Sequence, residues 1–243
     1  MKEGVRSLLL DAAQHMPGWW RMRSLLLPHA AALHRKRLGG VTFVGITGSA
    51  GKTTTKLLTT AVLSTAGRIR PWAGTMNNAE HIMSVVFATK PTDDYCAIEF
   101  SAGSPGSLDR SLATVKPRIG VVTSIGTDHL KAYHSIGAIA EEKAKLIACL
   151  PQDGIAVLNA DDPLVISMAS KCSGRVLSYG SAESAFLRAE GVRSAWPERL
   201  SFWVSCQNKK IEVKTQLCGT HWTTAVLAAL TVGVAIGIPL EVA

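Results

Sequence analysis

The strongest chemical signal in this chain is an eight-residue run, Thr47-Gly48-Ser49-Ala50-Gly51-Lys52-Thr53-Thr54. An apolar, β-branched run, Val41–Thr47, precedes it, and a helix-forming run, Lys52–Ala66, follows it. In a strand–turn–helix setting the backbone N–H groups of a Gly-rich turn face one concavity, and the helix dipole adds to their field. Gly48, Ser49, Ala50, Gly51, Lys52, Thr53 and Thr54 are therefore the candidate phosphate-binding residues. Lys52 would bring a mobile cation to the outer phosphates, and the Thr53 hydroxyl would ligate Mg²⁺. Ile46 stands where the strict G-x-x-x-x-G-K-[ST] pattern has its first glycine. Strand, loop, lysine, threonine and helix nonetheless follow in order, which favours a phosphate loop (P-loop) over a chance Gly-rich turn. Kinases, GTPases, motors and ligases share such a loop, so it names no reaction.

Three later segments narrow the field. Ile98-Glu99-Phe100-Ser101-Ala102-Gly103 places a carboxylate near the C-terminal end of a strand, the edge where open parallel sheets bind ligands. Val122-Thr123-Ser124-Ile125-Gly126-Thr127-Asp128-His129-Leu130 is a second strand end running into a loop. Glu141-Glu142-Lys143-Ala144-Lys145 lies on the following helix, and Asn159-Ala160-Asp161-Asp162-Pro163 comes after it.

The elements that must position these groups alternate. Val41–Thr47, Tyr95–Phe100, Ile119–Thr123 and Ile155–Asn159 read as buried strands, and Lys52–Ala66 and Ile136–Leu150 as helices. The expected fold is α/β: a mostly parallel sheet flanked by helices. Residues 175–217 change character, and the short alternating runs Phe202–Val204 and Lys210–Leu217 predict a small antiparallel β patch. Ala225–Leu240 reads as a buried helix ending near Gly237; at 16 residues it is too short for the ~20 that a membrane span requires. Residues 1–40 form a separate basic, amphipathic helical extension, with breaks expected at Pro17 and Pro28. The Trp19–Trp20 pair beside Arg21 and Arg23 suits a membrane surface or a partner protein or, preferably, packing on the domain behind it.

Composition bounds the alternatives. Of 243 residues, 47% are hydrophobic and 18% charged, which excludes intrinsic disorder. The net charge of +8 is concentrated in residues 1–40, which hold seven basic and two acidic groups. The body is nearly balanced and offers no nucleic-acid groove. Five cysteines with no C-x-x-C spacing argue against a disulfide framework or a zinc site and for a reducing, cytoplasmic setting. The N-terminus lacks the pattern of a signal peptide.

With these segments in order, the chain resembles the Mur ligase family, which joins an amino acid or peptide to a carboxylate using ATP. Its nearest resemblance is to the branch that adds D-alanyl-D-alanine to the peptidoglycan precursor. The resemblance covers roughly residues 41–241, the central ATPase domain. It rests on Ile46–Thr55, Asn77–Asn78, the Glu99 segment, Thr123–Leu130, the Lys143 helix, Asn159–Pro163 and Gly219–His221. It implies that Lys52 binds the β- and γ-phosphates and that Thr53 ligates a first Mg²⁺. Glu99 and His129 become metal ligands, His129 on a second Mg²⁺. Lys143 matches the lysine that is carbamylated in the family, and Asn159 and His221 join the nucleotide site. The implied reaction forms an acyl phosphate, which an amine converts to an amide.

Plainer alternatives exist for each position. They are a surface carboxylate at Glu99, a solvated loop histidine at His129, a solvated charged face at Lys143, capping at Asn77 and Asn78, and a structural role at His221. Ser124 stands where the family often has Asn, and Trp222 and Ala225 replace two asparagines on the adenine side. A tryptophan cannot reproduce the paired hydrogen bonds of an amide. The family also has a nucleotide-sugar domain before the ATPase domain and an amino-acid domain after it, and neither is legible here. The implied function is thus an ATP-dependent acid–amino-acid ligase represented by its ATP-binding portion, with a partner chain as one source of the other domains. The rival is a non-catalytic nucleotide-binding module derived from such a ligase. A P-loop kinase or GTPase would leave Glu99, His129 and Lys143 unused.

Overall fold

The computed structural model describes residues 19–70 and 78–243 apart from Asn208, with side chains from Leu26 onward. Pro17 and Asn77, and the side chains of Trp19, Trp20, Arg21 and Arg23, lie outside the described residues. Three elements open the chain: α1 (Trp19–Lys36), β1 (Thr42–Thr47) and α2 (Lys52–Ser64). Next come α3 (Ala79–Ala88), β2 (Tyr95–Glu99), α4 (Asp109–Val115) and β3 (Ile119–Val122). The short α5 (Leu130–Tyr133) precedes α6 (Ile136–Ala148), β4 (Ile155–Asn159), α7 (Pro163–Ile166) and β5 (Arg175–Gly180). Strands β6 (Leu187–Arg193), β7 (Ser201–Cys206) and β8 (Lys209–Lys214) follow, and α8 (Thr223–Ala235) is the last helix.

Among the described residues the eight strands form one sheet in the order β2-β1-β3-β4-β5-β6-β7-β8. Pairing is parallel from β2 through β6 and antiparallel for β6–β7 and β7–β8. The expected patch is therefore the far edge of the main sheet. Strands β7 and β8 carry the two alternating runs and pair antiparallel as expected, while β5 and β6, which no sequence run singled out, continue the parallel part.

Helices cover both faces. Strand β1 shows why: Phe43 points into a core with Ile98, Phe100, Leu146 and Leu150, while Val44 and Ile46 point into the opposite core with Leu63, Val226 and Leu230. A strand buried on both faces reads as a continuous apolar run. Helix α8 is buried on nearly every side from Ala225 to Gly233, as an all-round apolar helix must be. It packs against α2, and Gly233 lets Val62 come close: a Cβ built there would stand 2.6 Å from Val62 Cγ1. The helix ends at Ala235, before Gly237.

Helix α1 runs unbroken through Pro28, contrary to the expected break. Tertiary anchoring outweighs the roughly 3 kcal/mol that a helix-interior proline costs. Ala31, in its last turns, and Leu38, just beyond it, are fully buried. Arg35 donates to the carbonyls of Val115 (2.7 Å) and Leu38 (3.1 Å), and its guanidinium lies 4.2 Å from the centre of the Phe43 ring. The C-terminal half of this helix is thus packed onto the domain.

Candidate functional site

Chain order and sheet order diverge at β1, because β2 lies on one side of it and β3 on the other. Beyond the carboxyl ends of β1 and β3 this leaves a crevice, the place where open α/β sheets bind ligands. The loop after β1, residues 48–51, and the loop after β3, residues 123–128, meet there.

The two loops are tied by short bonds. The Ser49 and Ala50 amides donate to Ser124 O (2.8 Å) and Ser124 Oγ (3.2 Å). Thr123 Oγ1 donates to Ala50 O at 2.6 Å, and the Gly126 amide donates to Ser49 Oγ at 2.7 Å. Gly48 has φ +146°, and a Cβ there would fall 1.9 Å from Thr123 Oγ1, so only glycine fits. The sequence suggests that all the loop amides face a phosphate. Instead Ser49 and Ala50 spend theirs on Ser124, and the donors left over are those of the first turn of α2. Lys52 Nζ folds back onto Gly48 O (2.8 Å) and Ser49 O (3.4 Å).

On the β2 side, Thr53 Oγ1 donates to Glu99 Oε2 at 2.9 Å. Lys56 Nζ lies 3.9 Å from the same oxygen, and both side chains are buried. Burial therefore sets aside the surface-carboxylate alternative for Glu99. Burial lowers the Lys56 pKa, while Glu99 acts to raise it. His81, on α3, feels both charges: burial is the main cause of its lowered pKa, with Lys56 adding to the effect and Glu99 opposing it.

On the β3 side, Lys143 is 1% exposed and pairs with Asp128 Oδ2 at 3.2 Å. The solvated-face alternative thus holds for exposed Glu141 and not for Lys143. Neighbouring Glu142 is also buried and accepts the Gly106 (3.0 Å) and Leu108 (3.1 Å) amides. Desolvation lowers the Lys143 pKa; Asp128 opposes this, and the nearby charge of Lys52 adds to it. Asp128 also accepts the Ser49 hydroxyl, so one carboxylate joins the Gly-rich loop to the Lys143 helix.

The other candidates have different partners. His129 is exposed, with φ +58°, and among the described residues no hydrogen bond or ion pair ties it to Thr53, Glu99 or Lys143. Asn159 is buried and donates to Thr123 O at 2.9 Å, while its Oδ1 accepts the Asp161 amide, so it ties the ends of β3 and β4 together. His221 is exposed and lies against Trp222, ring centroids 4.6 Å apart, just before α8. Asn78 caps α3 by accepting the His81 amide at 2.9 Å. Asp162 caps α7 and accepts the Ile125 amide at 2.7 Å, which steadies the loop after β3.

Thr53 and Glu99 supply hydroxyl and carboxylate oxygens, the hard donors Mg²⁺ prefers. Among the described residues no group of three or more His, Cys, Asp or Glu could hold a metal. An ion here would take its remaining ligands from phosphate and water, as Mg²⁺ commonly does. Lys143, as an ammonium, ligates no cation.

Lys56, Asp128 and His81 are the site residues that sequence reasoning passed over. Lys56 could have been found, because it stands one helical turn after Lys52 on the same face. Asp128 lies inside a quoted segment, but only the folded loop brings it to Ser49 and Lys143.

Fold and site define an open, doubly wound α/β domain with a Gly-rich strand-to-helix loop at its switch point. The family model of the Mur ligase middle domain matches residues 46–233, and the chain belongs to the Mur ligase family. The UDP-N-acetylmuramoyl-tripeptide–D-alanyl-D-alanine ligases of Mycobacterium bovis and Mycobacterium tuberculosis (strain H37Rv) are each 37% identical over 204 residues, covering 84% of this chain and 40% of theirs. The chain thus spans well under half the length of these relatives. Among solved structures, MurF from Acinetobacter baumannii shares the fold with a TM-score of 0.84 at 23% identity, over 90% of this chain and 48% of that one. MurF ligase from Thermotoga maritima in complex with ADP gives 0.78 at 23% identity, over 88% and 50%. Among the described residues no helix is long and apolar enough to cross a membrane.

Proposed function

We propose that this chain is the ATP-binding portion of a cytoplasmic, ATP-dependent acid–amino-acid ligase that forms an amide through an acyl phosphate. The observation that carries the reading is the convergence of Lys52, the Thr53–Glu99 pair and the Asp128–Lys143 pair at one switch point. The 37%-identical relatives are named as ligases that add D-alanyl-D-alanine, so peptidoglycan-precursor or related peptide synthesis is the proposed setting. Carboxylate and amine substrates would be held by further domains, in the same polypeptide or a companion chain.

In this reading Lys52 swings from the Gly48 carbonyl to the β- and γ-phosphates. The free amides at the start of α2 hold phosphate oxygens, joined by Gly48 to Thr54 around them. Thr53 and Glu99 hold one Mg²⁺, and His129 and a carbamylated Lys143 hold a second. Divalent cations would screen the repulsion between ATP and a carboxylate and stabilise charge on the moving phosphoryl group. Carbamylation requires the neutral amine: the ammonium first gives a proton to solvent, its nitrogen then attacks CO₂ and releases a second proton to solvent, and the cation has become an anion. Burial of Lys143 favours that neutral form. Asn159 supports the nucleotide site by fixing the Thr123 carbonyl, and His221 lines its base side.

Titration calorimetry with Mg²⁺-ATP tests the reading. Wild type should bind, and Lys52→Ala should lose at least about tenfold in affinity, since a charge-assisted phosphate contact is worth ~1.5–3 kcal/mol. Equal binding by Lys52→Ala would overturn it. Binding without amide formation, when carboxylate, amine and the remaining domains are all supplied, would favour the nucleotide-binding module.

A further inference from the structure

The Thr53–Glu99 pair has a companion that the proposed chemistry leaves unused. Lys56 is 3% exposed, and its ammonium lies 3.9 Å from Glu99 Oε2, the oxygen that also accepts the Thr53 hydroxyl. It stands one turn after Lys52, so α2 presents two lysines in succession along the face that meets the crevice. Glu99 is the carboxylate that accepts the Thr53 hydroxyl, and the Lys56 ammonium offsets its charge.

A lone divalent cation approaching Glu99 therefore meets a neutral pair. Charges about 4 Å apart in a poorly hydrated site interact by several kcal/mol, so the ammonium repels the incoming ion about as strongly as the carboxylate attracts it. Mg²⁺ also gives up water reluctantly and needs an anionic site to do so. A metal–nucleotide complex is different. Its triphosphate carries more negative charge than the metal neutralises, so it is attracted by Lys52 and Lys56 together.

We propose that Lys56 makes metal entry conditional on nucleotide: the site accepts a divalent cation together with its nucleotide and rejects the free ion. The inference rests on the proposed metal and nucleotide site. Lys56 acts through Glu99 and is a positioning residue.

Mn²⁺ binding followed by electron paramagnetic resonance tests it without any turnover. Counting only the Mn²⁺ binding that Glu99→Gln removes, wild type should show no saturable site without nucleotide and one with ADP. Lys56→Met should bind free Mn²⁺ at least about tenfold more tightly than wild type, and Lys56→Met/Glu99→Gln should lose that site. Lys56→Arg, which keeps the charge, should behave as wild type. Free Mn²⁺ binding wild type as tightly as Mn²⁺ with ADP would overturn the proposal, and this arm needs no variant to fold. Unchanged free-ion affinity in a folded Lys56→Met would also overturn it. ADP and ATP binding, measured calorimetrically on the same samples, separates the two ideas. Retained nucleotide binding with either adverse metal result sinks only the role of Lys56. Absent nucleotide binding sinks the site itself.

Discussion

Gly48→Ala isolates the contact between the two loops. Gly48 has φ +146°, and an added Cβ would lie 1.9 Å from Thr123 Oγ1 and 3.1 Å from both Thr123 Cβ and the Ser124 nitrogen. The backbone conformation alone costs a non-glycine residue ~1–3 kcal/mol. Thr123 must also turn away and give up its 2.6 Å bond to the Ala50 carbonyl, a further ~1 kcal/mol. Residual overlap adds ~1–3 kcal/mol. Holding the loop in its present shape would then cost roughly 3–7 kcal/mol. The loop relieves this by leaving the Ser124 segment, while the sheet beneath keeps its pairing. Mg²⁺-ATP affinity should fall at least about 100-fold, which is about 3 kcal/mol, with far less effect on the thermal midpoint. Fluorescent-nucleotide titration and thermal melting on one preparation measure both. Gly48→Ala/Thr123→Ala should recover part of the affinity, since the steric share disappears and the backbone share remains. Affinity within about threefold of wild type would refute the reasoning.

Other consequences follow from single contacts. Asp128→Asn leaves the Lys143 ammonium buried without its anion and should destabilise the domain by ~1–3 kcal/mol in urea unfolding, less than a fully buried pair because Asp128 is a quarter exposed. Asp128→Asn/Lys143→Met should regain most of that loss. Gly233→Val drives a side chain into Val62 across the α2–α8 contact and should cost ~1–3 kcal/mol, partly restored by Val62→Ala in the same assay. Burial raises the Cys96 thiol from 9.0 to about 11. The unfolded chain releases this proton first, so the contribution is complete below pH 9 and fades as pH rises toward 11. Over that window wild type should lose about 3 kcal/mol relative to Cys96→Ala, read from the difference between their pH–stability curves.

Legibility in the sequence followed how local the determinant was. Strands β1 to β4 show as short, mostly apolar runs because burial on both faces leaves few places for polar residues. The Gly-rich loop shows because its glycines answer a local backbone need. Strand β6 was not singled out, for a topological reason. Parallel neighbours usually need a crossover of a dozen residues, but β5 and β6 pair only through Tyr179–Leu187 and Gly180–Arg188. The strands are staggered end to end, so the six residues between them suffice. Helix α3 left a signal that went unused, the Asn78 cap followed by Ile82, Met83, Val85 and Val86. Pro28 misled because its local cost is outweighed by Arg35 and the burial around it, contacts up to 81 residues away. Within the site, residue types were legible and their partners were not. Lys143 could be singled out in the sequence, but the Asp128 that offsets its burial and the Lys56 that neutralises Glu99 come from the fold.

The most direct test of the central claim is a crystal structure of the protein with Mg²⁺ and a non-hydrolysable ATP analogue. The account predicts the phosphates on the amides at the start of α2, Lys52 turned from Gly48 O to the outer phosphates, and a metal on Thr53 and Glu99. An analogue bound away from the β1–β3 crevice, or lying there with Lys52 still on the Gly48 carbonyl and no metal at Glu99, would contradict it.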